Sequence, residues 1–122
     1  MLQQIEPNQH PVLSSVMTIP INDRVKIADI QKEFNQEFPF LKIEFAGKNS
    51  DGTVATHRTV RNSGVLAISS NMTVTDLENY FQRVFGLQVQ IFRKSGKAWI
   101  ETSVTDSWTL EQQNREGQAL SK

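Results

Sequence analysis

Residues 26–46 read KIADIQKEFNQEFPFLKIEFA, and residues 73–92 read TVTDLENYFQRVFGLQVQIF. In the first stretch Ile27, Ile30, Phe34 and Phe38 recur every three or four residues. That spacing puts them on one face of a helix and leaves Lys32, Glu33 and Gln36 to water. Pro39 ends the helix, because the residue before a proline is driven out of helical geometry. LKIEF then alternates, with Leu41, Ile43 and Phe45 on one side, as a half-buried strand does. In the second stretch Val74, Leu77, Phe81 and Phe85 repeat the helical face, Gly86 stops it, and LQVQIF alternates in turn. Thr73 with Asp76 three residues later forms a capping pair, the short acid replacing the usual Glu.

The two stretches are one pattern written twice. Ile21, Ile27, Asp29, Ile30, Phe34 and Phe38 lie 47 residues before Ile68, Val74, Asp76, Leu77, Phe81 and Phe85. With one residue of slippage, Leu41, Ile43 and Phe45 match Leu87, Val89 and Ile91. A strand over Val16–Ile21 opens the first unit, with Pro20 placing it near an edge, and a strand around Ile68 opens the second. Such a unit cannot bury its apolar face alone, whereas two can share it. The expected fold class is therefore α+β: two tandem βαβ units sharing one sheet in the ferredoxin-like order, plus a C-terminal β-hairpin strand. KAWIETS supplies that strand, joined across RKSGK by a tight turn in which Gly96 is free to take positive φ.

The expected domain plan follows. Residues 1–15 form a flexible N-terminal arm, and residues 16–105 a single α+β domain. Within it the first repeat covers about 16–46, the second about 65–93 and the extra strand 97–103. The 18 residues from Gly47 to Gly64 are long for a structureless connection, and Val54 and Val60 are candidates to anchor a short strand there. Residues 106–122 form a partly ordered segment with a brief helix capped by Thr109 and Gln112.

Composition narrows the function. Leu, Ile, Val and Phe supply 34 of the 122 residues, enough for one buried core. Thirteen basic residues balance thirteen acidic ones, which weighs against nucleic-acid or anionic-membrane binding by bulk charge. With no cysteine there is no disulfide, thiolate metal site or cysteine nucleophile. No apolar run has the length of a membrane span, and MLQQIEPNQHPVLSS lacks the layout of a secretion signal. A cytoplasmic protein is expected.

Two resemblances can be marked. FRKSGKAWIETSVTDSWTLEQQNREG, taken with TVTDLENYFQRVFG, resembles an uncharacterised family of short bacterial proteins found mainly in the Bacteroidota. The resemblance implies an intracellular bacterial protein and brings no functional residue with it. IEFAGKNSDGT, through Phe45, Ala46, Gly47, Lys48, Asp51 and Gly52, resembles the strand and turn after the helix in the ubiquitin family. It implies a β-grasp fold as the alternative, although the chain ends QALSK rather than in a diglycine and shows one strand, not a hairpin, before Ile27.

No grouping of catalytic type emerges. His10 sits beside Pro11 in the arm and His57 beside Arg58 in the long loop, neither with a nucleophile or orienting partner in view. GKNSDG has the order of a calcium loop but Gly47 at the first position and Arg58 at the twelfth. Gly47-Lys48 lacks the earlier glycine of a phosphate loop. Asp29 and Asp76 each lie in the first turn of a helix, where negative charge favours the helix dipole. No metal, cofactor or enzymatic activity is expected.

One feature stands out. Pairing the hairpin across Ser95-Gly96 sets Phe92 opposite Trp99 and Ile91 opposite Ile100. Val89, Ile91 and Ile100 then face the helices, while Phe92 and Trp99 face the other way beside Gln88, Gln90, Lys94, Lys97 and Glu101. An aromatic pair on a polar sheet face calls for a partner, since burying both rings gains roughly 25 cal/mol per Å². Three occupants compete. Trp108 and Leu110 of the same chain fold back over the rings, or another protein, including a second copy in a homodimer, packs on them. The third is single-stranded nucleic acid stacking there, with Arg93, Lys94, Lys97, Lys48, Arg58 and Arg61 on its phosphates. The expected function is a non-catalytic protein-interaction or scaffold domain using Phe92, Trp99, Lys94, Lys97, Gln90, Glu101 and Trp108. Nucleic-acid binding is its alternative.

Overall fold

The computed structural model describes residues 16–46, 52–54 and 63–121. The chain runs β1 (Val16–Ile21), α1 (Ile27–Glu37), β2 (Leu41–Phe45), β3 (Gly64–Ser69), α2 (Val74–Phe85), β4 (Val89–Ser95), β5 (Ala98–Glu101), a 3₁₀ turn (Ser103–Thr105) and α3 (Leu110–Leu120). It is an α+β protein, as the periodicities imply.

Local chemistry explains where the elements start and stop. Thr73 accepts from the Asp76 N–H and the Asp76 carboxylate accepts from the Thr73 N–H, closing the capping box that begins α2. Gly86, at φ 66°, ends it in the left-handed conformation that costs glycine nothing. Thr109 and Gln112 form a second capping box at the head of α3, which continues as a regular helix to Leu120. α1 has no side-chain cap. Its head is tied instead to the chain between the repeats: Ile27 N–H donates to Gly52 O and Val54 N–H to Val25 O. Val54 is fully buried there, next to an isolated bridge between Lys26 and Thr53. Val60, His57, Lys48, Arg58, Arg61 and His10 lie outside the described residues, as do residues 1–15, where a β-grasp would need its first strand.

The expectation of one shared sheet is corrected. β1 pairs antiparallel with β3 in a two-stranded sheet, and β2, β4 and β5 form a second, in that order. Each βαβ unit thus gives its first strand to one sheet and its second to the other. The ferredoxin-like order would place β2 beside β3, and β2 pairs with β4 instead.

The register has an exact internal logic in its place of symmetry. Ile19 pairs with Leu66 and Glu44 with Gln90, and in each pair the two residues hold the same position in the two repeats. Antiparallel strands paired about equivalent residues are related by a two-fold rotation, so both inter-repeat ladders obey a pseudo-two-fold axis. The same correspondence governs the core. Ile27, Ile30, Phe34 and Phe38 are buried, and so are Val74, Leu77, Phe81 and Phe85. The Phe45 and Phe81 rings meet edge to face at 5.8 Å across the repeats.

Candidate functional site

The outer face of the three-stranded sheet carries the site. Alternation along β2 sends Leu41, Ile43 and Phe45 inward, where they are buried, and Lys42 and Glu44 outward. Along β4 it sends Gln90, Phe92 and Lys94 to the same outer face, because Lys42 pairs with Phe92 and Glu44 with Gln90.

β5 completes that face with a register different from the one expected. Phe92 pairs with Glu101 and Lys94 with Trp99. The turn is Gly96-Lys97, and Gly96 alone takes positive φ, at 61°, as a type II′ hairpin requires. Relative to the expected pairing, Trp99 moves by two residues. A two-residue shift keeps every side chain on its face, so Trp99 and Phe92 still share the outer surface, now as diagonal neighbours. The strand is shorter than expected, since Thr102 turns its hydroxyl and its N–H onto Ile91 O (2.8 and 3.3 Å) and the chain leaves the sheet.

Lys42 unites the two rings. Its Nζ lies 5.4 Å from the Phe92 centroid and 5.3 Å from that of Trp99. Lys94 Nζ lies 5.4 Å from the Trp99 centroid, and Glu44 holds Lys42 by an ion pair of 3.4 Å. The rings are half-buried, and each ammonium gains from the quadrupole beneath it. Sequence reasoning omitted Lys42 and Glu44. Alternation in LKIEF already set them opposite the core residues, but only the β2–β4 pairing brings them beside Phe92.

Trp108 does not cover the patch. The Arg93 guanidinium carbon lies over its ring, 5.6 Å from the centroid, and Arg93 points to the face opposite Phe92. There Arg93 Nη1 donates to Gln113 Oε1 (2.8 Å), while Gln113, fully buried, donates to Thr105 O and Oγ1 (2.7 and 2.9 Å). Leu110 is core. α3 thus packs against the inner side of the sheet, and the intramolecular lid is excluded by geometry. Lys97 sits exposed at the hairpin turn.

Beside Phe92 the surface dips into an open groove of about 440 Å³ lined by Glu44, Phe45, Ala46, Glu78, Asn79, Gln82, Gln88, Val89 and Gln90. Burial, reinforced by the charge of Asp106, raises the Glu78 carboxyl above its ordinary value of 4.5. The groove offers carboxamides and carboxylates but no nucleophile with a base. Among the described residues no group of three or more His, Asp or Glu is placed to hold a metal ion, and no helix is long and apolar enough to cross a membrane.

No family model, curated protein or solved structure matches the chain.

Proposed function

We propose that this is a non-catalytic interaction domain that binds another protein through the outer face of the β2–β4–β5 sheet, centred on Phe92 and Trp99. One observation carries the reading: the half-buried rings of Phe92 and Trp99 share Lys42 on the outer face of the sheet. Aromatic rings surrounded by Lys42, Lys94, Glu44, Gln90 and Glu101 form an apolar centre with a polar, mixed-charge rim, the usual anatomy of a protein contact. Ring burial supplies affinity, and the rim charges set orientation. By the resemblance noted in its sequence, we take its setting to be the bacterial cytoplasm.

The alternative, single-stranded nucleic acid, draws on Lys42 and Lys94 beside stacking rings. Two features weigh against it. The Lys42 ammonium already lies over both rings, where a base would stack, and Glu44 and Glu101 stand on the same face and repel phosphate.

The test uses a photo-crosslinking residue in place of Gln90, introduced into the full chain in its host cell. A discrete protein adduct is expected, lost in Trp99→Glu and Phe92→Ser while circular dichroism and Tm stay near wild type. An adduct unchanged by both substitutions overturns the reading. Binding to oligonucleotides at low salt that falls steeply as salt rises would favour the alternative.

A further inference from the structure

The two edges of the β2–β4–β5 sheet are treated differently. Ala46 N–H donates to Gln88 O, so Lys42, Glu44 and Ala46 turn their main-chain groups toward β4, and Leu41 and Ile43 turn theirs outward. That outer edge is closed. Gln31 Nε2 donates to Ile43 O (3.0 Å) and Asn35 Nδ2 to Leu41 O (2.8 Å), both from α1. At the other edge, Thr102 N–H donates to Ile91 O, which sets Ile100 and Ala98 facing β4 and turns the N–H and C=O of Trp99 and Glu101 outward. No described side chain or strand meets them. Natural sheets guard a bare edge unless it is used.

The side chains along this edge suit one occupant. Ile100 is 38% exposed on the inner face and Val104, just past the strand, 96% exposed. Glu101 has no ion-pair partner among the described residues, while Lys94 lies over the neighbouring Trp99 ring. We propose that β5 pairs antiparallel with β5 of a second copy about a two-fold axis through Ile100. Trp99 of each copy then lies opposite Glu101 of the other and exchanges two main-chain hydrogen bonds with it. The Glu101 carboxylate reaches Lys94 of the second copy across the Trp99 ring, and the two exposed Ile100 side chains meet at the axis. The self-complementarity is specific. The same four residues supply both halves, with opposite charges in register, as an isologous contact demands. The pairing is the one already used inside the chain, where Ile19–Leu66 and Glu44–Gln90 mark pseudo-two-fold ladders. It deepens the proposed interaction role and rests on that reading, since it joins two aromatic faces into one continuous surface of six strands.

The experiment is sedimentation of the full chain over a range of concentrations, with variants of the edge and of the aromatic face. Glu101→Pro removes an outward N–H that β4 does not use, leaving Phe92, Trp99 and Lys42 in place. Ile100→Cys exploits a chain without cysteine, because a non-hydrogen-bonded antiparallel pair brings Cα atoms to about 4.5 Å, within disulfide range. A concentration-dependent dimer is expected, with its dissociation constant raised about tenfold or more by Glu101→Pro. Ile100→Cys should form a disulfide dimer far faster than Val104→Cys, which controls for collision. A chain monomeric at every concentration, whether because another segment or nothing occupies the edge, overturns the inference. So does an Ile100→Cys variant that crosslinks no faster than the control. A dimer that survives Glu101→Pro and is lost in Phe92→Ser also overturns it, while upholding the aromatic face as the contact. Conversely, a crosslinked Ile100→Cys dimer together with a Gln90 adduct indifferent to Trp99→Glu would sustain the edge pairing and remove the proposed role of the face.

Discussion

Glu78 stands in the second βαβ unit where Gln31 stands in the first, each on the outer flank of its helix. Gln31 donates to the Ile43 carbonyl and to Glu44 Oε1. A carboxylate cannot donate, and Glu78 lies instead in the groove beside Gln88 and Val89, half-buried and near Asp106. The two-fold pattern is thus broken in chemistry at a point where it is kept in backbone.

A consequence for pH follows from the sign of that change. The folded-state pKa of Glu78 is raised, so the native state binds its proton more tightly than the unfolded chain does. The carboxylate costs nothing below its ordinary value of 4.5, and its penalty grows as pH rises through the raised pKa. Glu78→Gln should therefore stabilise the protein at neutral pH by less than about 1 kcal/mol, read as a small rise in Tm, because solvent screens a half-exposed group. Its Tm should match wild type at pH 4. Thermal unfolding at both pH values checks this, and an equal shift at both would remove the electrostatic explanation.

The closed sheet edge predicts a cost. Asn35→Ala removes the donor to Leu41 O and should destabilise the protein by about 1 kcal/mol. Gln31→Glu, which copies the second unit into the first, should cost more at pH 7 than at pH 4. Urea unfolding of both variants measures it.

Gly117 lets α3 lie directly on the segment before β2. A Cβ there would stand 2.8 Å from Phe40 Cβ and 3.0 Å from Phe40 O, next to the hydrogen bond from Phe40 N–H to Asn114 Oδ1 (2.9 Å). Alanine would favour the helix by about 1 kcal/mol in isolation. Here Gly117→Ala should instead lower stability by about 1–3 kcal/mol through overpacking. Chemical denaturation gives the sign.

Arg93 joins β4 to α3 and Trp108. Arg93→Lys loses the guanidinium over the Trp108 ring and the geometry of the bond to Gln113, while Arg93 Nε has no hydrogen-bond partner among the described residues. A loss of about 1–3 kcal/mol is expected. In a Trp99→Phe background the emission of Trp108 should shift as its environment loosens.

Much of the architecture is legible in one dimension because it is local. The 3.6-residue recurrence of Ile27, Ile30, Phe34 and Phe38, and again of Val74, Leu77, Phe81 and Phe85, determined both helices, their buried faces and the repeat. Thr73-Asp76 and Thr109-Gln112 marked helix starts through bonds three residues apart. Alternation put Phe92 and Trp99 on one face, and that survived a register two residues from the expected one, because side-chain direction has a period of two. Which strands meet is another matter. A strand's pattern states which face is apolar but not which neighbour accepts its hydrogen bonds. That β2 lies beside β4 rather than β3 is a property of the packed tertiary structure. That pairing alone brought Lys42 over Phe92 and Trp99. Trp108 shows the same limit. Its nearness to the fifth strand in sequence suggested a lid, but the capped helix that follows it turned the chain to the inner face, where Arg93 and Gln113 hold it.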